Sequence, residues 1–315
     1  MKILITGSEG LIGSSLSIRL ISVGHSVACF DKVLDLRADI LNQQPLADAL
    51  IDCDGVVHLA AVSRVVWGEQ NPDLCWKTNA EGTRNVLQAA GNSPRKPWVL
   101  VASSREVYGQ PKILPANEEC QLAPINIYGR AKVQGEQYTI SARESGIRTA
   151  IIRLSNVYGS TADHPDRVVP AFTKAAACGE NLRLDGGSNT FDFTYIDDVT
   201  DGLMRIIQQL VAGESRLPPI HLVTGKPTTL KQLADLSINA GTGNSRAIEA
   251  PSRNYDVARF YGDPTRAKEI LGWEASTSIE TGVDRMVAAF TAESGNLTQP
   301  VNGDMERGQT CESSK

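Results

Sequence analysis

The stretch Ile3-Leu4-Ile5-Thr6-Gly7-Ser8-Glu9-Gly10-Leu11-Ile12-Gly13 decides the fold. It orders a buried strand, a tight glycine turn and a helix entered at its N-terminus. A helix start exposes unpaired backbone N–H groups and the positive end of the helix dipole, which suits a pyrophosphate. Gly7 permits the turn, Gly10 lets the backbone approach the phosphates, and Gly13 lets helix and strand pack closely. Val27-Ala28-Cys29-Phe30 reads as the second strand of a βαβ unit, and Asp31 closes it. A carboxylate there accepts both hydroxyls of an adenosine ribose and repels a 2′-phosphate, so NAD is favoured over NADP. Lys32 and Arg37 act against that preference.

Working outward, strand-like and helix-like segments alternate. Val56–Ala60 and Trp98–Ala102 are apolar runs suited to strands covered on both faces, and Thr149–Leu154 reads as the next strand. Asn79–Ala90 and Tyr128–Ser145 read as helices between them. The fold class is α/β, a doubly wound parallel sheet of Rossmann type. From Gly159 the rhythm breaks. Helix-like Pro170–Gly179, strand-like Leu182–Leu184 and Phe191–Tyr195, and helices from Thr228 and Pro264 point to a smaller, discontinuous substrate domain. The expected division is 1–158 and 192–223 for the cofactor, 159–191 and 224–291 for the substrate, with 292–315 a disordered tail.

The 315 residues carry a net charge of −5, with 21% charged and 41% apolar residues, so nucleic acid and anionic membranes are not expected partners. No run is long enough for a bilayer span, and the N-terminus enters a strand directly, leaving no room for a signal peptide. The six cysteines show no CxxC and no metal-like pairing with the four histidines. They read as reduced thiols of a cytoplasmic protein with no metal site.

Tyr128 and Lys132 stand four apart on one helical face. Ionising a phenol at neutral pH needs a depression of roughly three units, or about 4 kcal/mol. An ammonium and an oxidised nicotinamide have the right sign to supply it. Such a phenolate takes a proton from a hydroxyl while hydride leaves the same carbon. Taken alone the spacing also fits an amphipathic helix with an exposed lysine. Ser103-Ser104, however, follows the Trp98–Ala102 strand at the sheet edge where a substrate would lie, placing a hydroxyl to share the proton.

These features, in order, resemble the extended short-chain dehydrogenases/reductases, specifically the NAD-dependent nucleotide-sugar epimerase/dehydratase group, over roughly residues 1–291. The matching segments are TGSEGLIG at 6–13, His58-Leu59-Ala60-Ala61, Asn79-Ala80-Glu81-Gly82-Thr83, Ser103–Gly109, Tyr128 with Lys132, and Arg153–Gly159. Asp192–Val199 and Asp263-Pro264 with Leu271-Gly272-Trp273 also match.

The resemblance implies Ser104, Tyr128 and Lys132 as the catalytic triad, with Tyr128 and Lys132 also at the nicotinamide ribose. It implies cofactor contacts at Gly7, Gly10, Leu11, Ile12, Gly13, Asp31, Asp39, Ile40, Leu59, Ala60, Ala61 and Asn79. Asn156 and Arg253 fall where the group holds the nucleotide diphosphate, to which an amide and a guanidinium fork are suited. Arg167 is a further expected substrate contact. A homodimer through the helices near 80–91 and 128–145 is implied as well.

The resembled group supports 4-epimerisation, 4,6-dehydration and decarboxylation of nucleotide sugars. Dehydration needs an acid/base pair after the catalytic hydroxyl, usually Asp-Glu; Arg105-Glu106 stands here. Glu106 is kept as a candidate acid/base and the aspartic acid is missing, which favours a 4-epimerase on a UDP-hexose. Dehydratase and decarboxylase remain alternatives, and a non-catalytic NAD sensor is a third. Arg105 reads as a surface arginine, with pairing to a substrate carboxylate as the other reading. Phe191 replaces an arginine usual before Asp192, so a contact of that arginine is either absent or supplied elsewhere.

Overall fold

The computed structural model describes residues 1–251 and 257–297. Its strands are, in chain order, β1 (Lys2–Thr6), β2 (Ser26–Phe30), β3 (Gly55–His58), β4 (Trp98–Ser104), β5 (Thr149–Leu154), β6 (Asn156–Tyr158), β7 (Leu182–Asp185), β8 (Thr190–Phe191), β9 (Phe193–Tyr195), β10 (Ile220–Leu222), β11 (Thr228–Thr229) and β12 (Ala247–Ala250). Six of them form a parallel sheet in the order β10-β5-β4-β3-β1-β2. The chain starts at β1, adds β2 on one side and then β3 on the other. The order therefore reverses between β1 and β3, and a crevice opens at their C-terminal ends.

The central strands are buried almost from end to end and are mostly apolar, because both faces are covered. Ile3, Ile5, Val57, Leu100 and Ile152 lie in one large cluster that continues through Phe193, Leu203, Trp273 and Phe290. Leu4, Val56, Val99 and Val101 face a second cluster with Leu46, Val86 and Leu87. Alternate residues of one strand thus serve opposite faces.

Several expected elements shift. The helix expected from Asn79 begins as a π-helical turn, Lys77–Glu81, and continues as Gly82–Asn92. The side chain of Asn79 leaves that turn to bond both backbone groups of Val62, accepting at 2.8 Å and donating at 3.0 Å. The strand expected over Phe191–Tyr195 is cut at Asp192. β8 pairs antiparallel with β11, whereas β9 pairs parallel with β6. Between them the fully buried Asp192 carboxylate accepts from Thr224 N (2.9 Å), Thr224 Oγ1 (2.8 Å), Gly225 N (2.9 Å) and Gly262 N (3.4 Å).

Helix Val168–Cys178 stops where Gly179 turns left-handed, as its sequence suggests. The last helix, Ile279–Leu297, covers the first residues expected to be tail. Glu293 bonds Thr161, and Ser294 bonds the carbonyl of Phe290 at 3.0 Å, which hold that extension. The remainder of the expected tail lies outside the described residues. No described helix is long and apolar enough to cross a membrane.

Candidate active site

The glycine turn sits at the β1–β3 crevice. Gly7 has φ +74°, and a Cβ there would come within 2.7 Å of Ala60 N. A Cβ on Gly13 would lie 2.2 Å from Gly7 O, whereas one on Gly10 would meet nothing closer than 3.4 Å. Two glycines therefore close the turn, and the third leaves open space at the start of helix Leu11–Ser22. That helix has no side-chain cap, so its first N–H groups are available to an anion. The buried Ser8 hydroxyl beside it has no hydrogen-bond partner.

The Asp31 carboxylate accepts from Glu9 N at 3.1 Å and Val33 N at 3.0 Å, which fixes it at the end of β2. A pyrophosphate cradle next to a positioned carboxylate fits a dinucleotide. Leu59 and Ala60 donate their N–H groups to Thr6, at 3.0 Å to its carbonyl and 3.3 Å to its hydroxyl, so the loop after β3 forms the second wall. Leu59, Ala60 and Ala61 are half-buried there, and Asn79 holds the loop from behind through Val62. Leu11 and Ile12 are half-buried on the first helical turn. Asp39 is bound by Lys32 at 3.3 Å. The side chain of Ile40 packs into the core against Gly82, and its carbonyl accepts from Asn85 Nδ2 at 3.1 Å.

Ser104 ends β4, and its hydroxyl accepts from Glu106 N at 3.2 Å. The half-buried Tyr128 is in hydrogen-bonding contact with Ser104, and Lys132 Nζ lies 5.8 Å from the centre of the Tyr128 ring. Asn126 caps this helix by accepting from Gly129 N at 2.8 Å. The Lys132 ammonium, buried, donates to Ala102 O at 2.8 Å. The structure thus gathers Ser104, Tyr128 and Lys132.

Burial dominates the acidities of Tyr128 and Lys132. Burial pushes the Tyr128 phenol up to about 12, against the pull of Ser104, and the charge of Glu106 pushes in the same direction as burial. Burial pulls Lys132 down to about 8. A phenol held so high is neutral near pH 7, and the positive charge of an oxidised nicotinamide bound beside it would act to lower it.

Arg105 is not a surface residue. Its side chain is 12% exposed, its Nη2 pairs with Glu106 Oε1 at 3.0 Å, and its guanidinium lies 4.6 Å above the Phe191 ring. The two departures from the resembled pattern thus pack on each other, an aromatic floor replacing one cation and carrying another. The second Glu106 oxygen accepts from Asn126 Nδ2 at 2.8 Å.

Arg167 pairs with Asp163 at 3.3 Å and reaches Ser63 at 3.3 Å, while Arg64 pairs with Asp166 and Trp67 packs edge-on against His164 at 4.6 Å. These contacts join the loops after β3 and β6 across the crevice. Asn156 starts β6, tied by its N–H to Asp192 O at 3.1 Å. Arg253 lies outside the described residues. Among the described residues no three His, Cys, Asp or Glu side chains are grouped to hold a metal.

Sequence reasoning passed over Glu136, Arg153, Tyr108 and His221. The available signal was a titratable side chain inside each of two buried strands, Arg153 in Thr149–Leu154 and His221 in Ile220–Leu222.

Residues 3–218 match the model of the NAD dependent epimerase/dehydratase family, more than half of the chain. A UDP-glucose 4-epimerase from Mycolicibacterium smegmatis is 29% identical over 316 residues, covering 93% of this chain and 100% of that protein. UDP-glucuronic acid decarboxylase 1 from Danio rerio is 28% identical over 312 residues, covering 93% of this chain and 73% of its own. The crystal structure of the UDP-glucose 4-epimerase from Thermotoga maritima with UDP-glucose superposes with a TM-score of 0.86 at 28% identity, over 93% of this chain and 99% of that one. The chain, with its cradle, positioned acid and Ser–Tyr–Lys cluster, belongs to the NAD-dependent epimerase/dehydratase family of enzymes, and its cofactor is NAD.

Proposed function

We propose that the protein is a nucleotide-sugar 4-epimerase acting on a UDP-hexose or a derivative of one. The observation that carries this reading is the engagement of Glu106. One of its oxygens is paired with Arg105 and the other accepts from Asn126. A carboxylate held on both oxygens, beside an arginine where an acid would protonate a leaving hydroxyl, is poorly placed for elimination. Ser104 and Tyr128 supply the proton-handling pair that epimerisation needs.

In this reading Tyr128 takes the proton of the sugar 4-hydroxyl, Ser104 shares it and holds the oxygen, and Lys132 favours the phenolate by its charge. The glycine turn, Asp31 and the loop Leu59–Ala61 would hold NAD, which would supply a reversible hydride acceptor for C4. The resulting 4-keto sugar turns over in the site, C4 regains the hydride on its opposite face, and Tyr128 returns the proton to oxygen. Asn156, Arg167 and Arg253 are proposed to hold the substrate diphosphate and sugar. The division into cofactor and substrate segments, with the boundaries given above, and assembly as a homodimer belong to the same proposal.

The test is incubation of the purified protein with UDP-glucose, UDP-N-acetylglucosamine, UDP-glucuronate and dTDP-glucose, read by NMR and mass spectrometry. A product of unchanged mass with an inverted C4 proton coupling is expected. Loss of water or of carbon dioxide would instead assign Glu106 to elimination or decarboxylation, an activity named among the relatives.

A further inference from the structure

Strand register places three polar residues in one row directly before the strand position of Ser104. Ser103 of β4 is level with Arg153 of β5, and Arg153 is level with His221 of β10. Level residues of parallel neighbours face the same side of a sheet. Helix Ile127–Glu144 meets this row with Glu136. Ser103 Oγ donates to Glu136 Oε1 at 2.5 Å, and Arg153 donates to both Glu136 oxygens, at 2.9 and 2.7 Å.

The remaining arm of Arg153 donates to the Tyr108 hydroxyl at 2.7 Å and to Glu118 O at 2.9 Å. Arginine can only donate, so the Tyr108 proton is turned toward His221 Nε2, 2.6 Å away. The row is buried throughout. A buried ion pair is retained at a cost in desolvation and is weak evidence of stabilisation. This one takes no part in the proton transfers described above. Its location is informative: Tyr128, Lys132 and Glu136 follow at intervals of four along one helical face.

We propose that Glu136 and Arg153 are positioning residues whose pair, tied to β4 through Ser103, fixes the helix so that Tyr128 and Lys132 meet Ser104. The proposal rests on the reading that those three residues carry the reaction.

The test compares Glu136→Gln and Ser103→Ala with the parent enzyme, each with NAD bound, on whichever UDP-sugar is turned over. Misplacement of a catalytic group by about 1 Å can cost on the order of a hundredfold. Glu136→Gln should therefore lower kcat by about ten- to a hundredfold with KM and NAD affinity within about twofold. The alkaline limb of its pH–rate profile should move to lower pH, because the charge of Glu136 supports protonated Lys132. Ser103→Ala keeps the ion pair and should lower kcat less, also at unchanged KM.

Melting temperatures that fall while kcat and the pH profile stay fixed would overturn the proposal. If Glu136→Gln does not fold, Ser103→Ala decides the matter alone. If the parent enzyme turns over no UDP-sugar, the proposed function fails by itself. The positioning proposal is then read from 13C-tyrosine NMR, with the Tyr128 signal identified by its loss in Tyr128→Phe. Movement of that signal in Ser103→Ala is expected, and an unmoved signal overturns the proposal.

Discussion

The glycine turn after β1 and the polar row across β4, β5 and β10 lie on the same sheet and are built in opposite ways. The turn works by omission: Gly7 and Gly13 lack side chains where a Cβ would strike Ala60 N at 2.7 Å and Gly7 O at 2.2 Å. The row works by charge, with Arg153 and Glu136 paired at 2.7 Å in the interior. A site made of backbone depends on volume and tolerates no added atom. A site made of buried charge depends on its partners, and losing one leaves the other unsatisfied.

The sharpest break of this comparison is at neither region but at Tyr128, the proposed proton acceptor. Tyr128→Phe should cut turnover by about 10²- to 10⁴-fold. NAD binding, measured by calorimetry, should stay as in the parent because the glycine turn is untouched. A variant that keeps its biological activity would instead favour an NAD sensor.

Next in size is Arg153→Met, which strands Glu136 in the interior and should cost about 3–5 kcal/mol in denaturant unfolding. Gly13→Ala tests the other region. It should destabilise the fold by about 1–3 kcal/mol through overpacking and lower NAD affinity as well. Gly10→Ala, with 3.4 Å of room, should spare the fold and lower only NAD affinity.

Buried histidines give a smaller, pH-dependent effect. His58 bridges Thr6 at 2.8 Å and Thr83 at 2.9 Å, and burial pulls both His58 and His221 down to about 3. Between about pH 6.5 and 3 the unfolded chain binds protons that the folded chain does not, so stability should fall as pH drops through that window. Thermal melts across the window check this, and His221→Gln should flatten part of the slope. Last, Asp31→Asn removes the charge proposed to face the adenosine ribose. NAD should bind on the order of tenfold more weakly, a loss of about 1.4 kcal/mol, and discrimination against NADP should relax in parallel titrations.

The glycine turn, Asp31 and the strand runs were legible because their signals are local: periodicity, a glycine pattern and a charge at a strand end. Ser104, Tyr128 and Lys132 were legible by spacing together with resemblance, and the structure brings them together. The setting of Arg105 was not. Its floor, Phe191, is far away in the chain, so nothing nearby reveals that a guanidinium is buried. The polar row was hidden for the same reason, since it exists only once β4, β5 and β10 are in register. The phenol's raised pKa likewise reflects burial, which spacing does not report.

Asp192 carries a consequence for biosynthesis. Its carboxylate gathers N–H groups from Thr224, Gly225 and Gly262, so the cut between β8 and β9 is held by chain that emerges later from the ribosome. Gly262 follows Asp192 by 70 residues, which translation at about 5–20 residues per second delivers after roughly 4–14 seconds. During that interval a carboxylate destined for the interior stays hydrated. The nascent chain can therefore assemble β1 to β5 first, while the join between β8 and β9 waits for the last third of the polypeptide to supply its N–H groups.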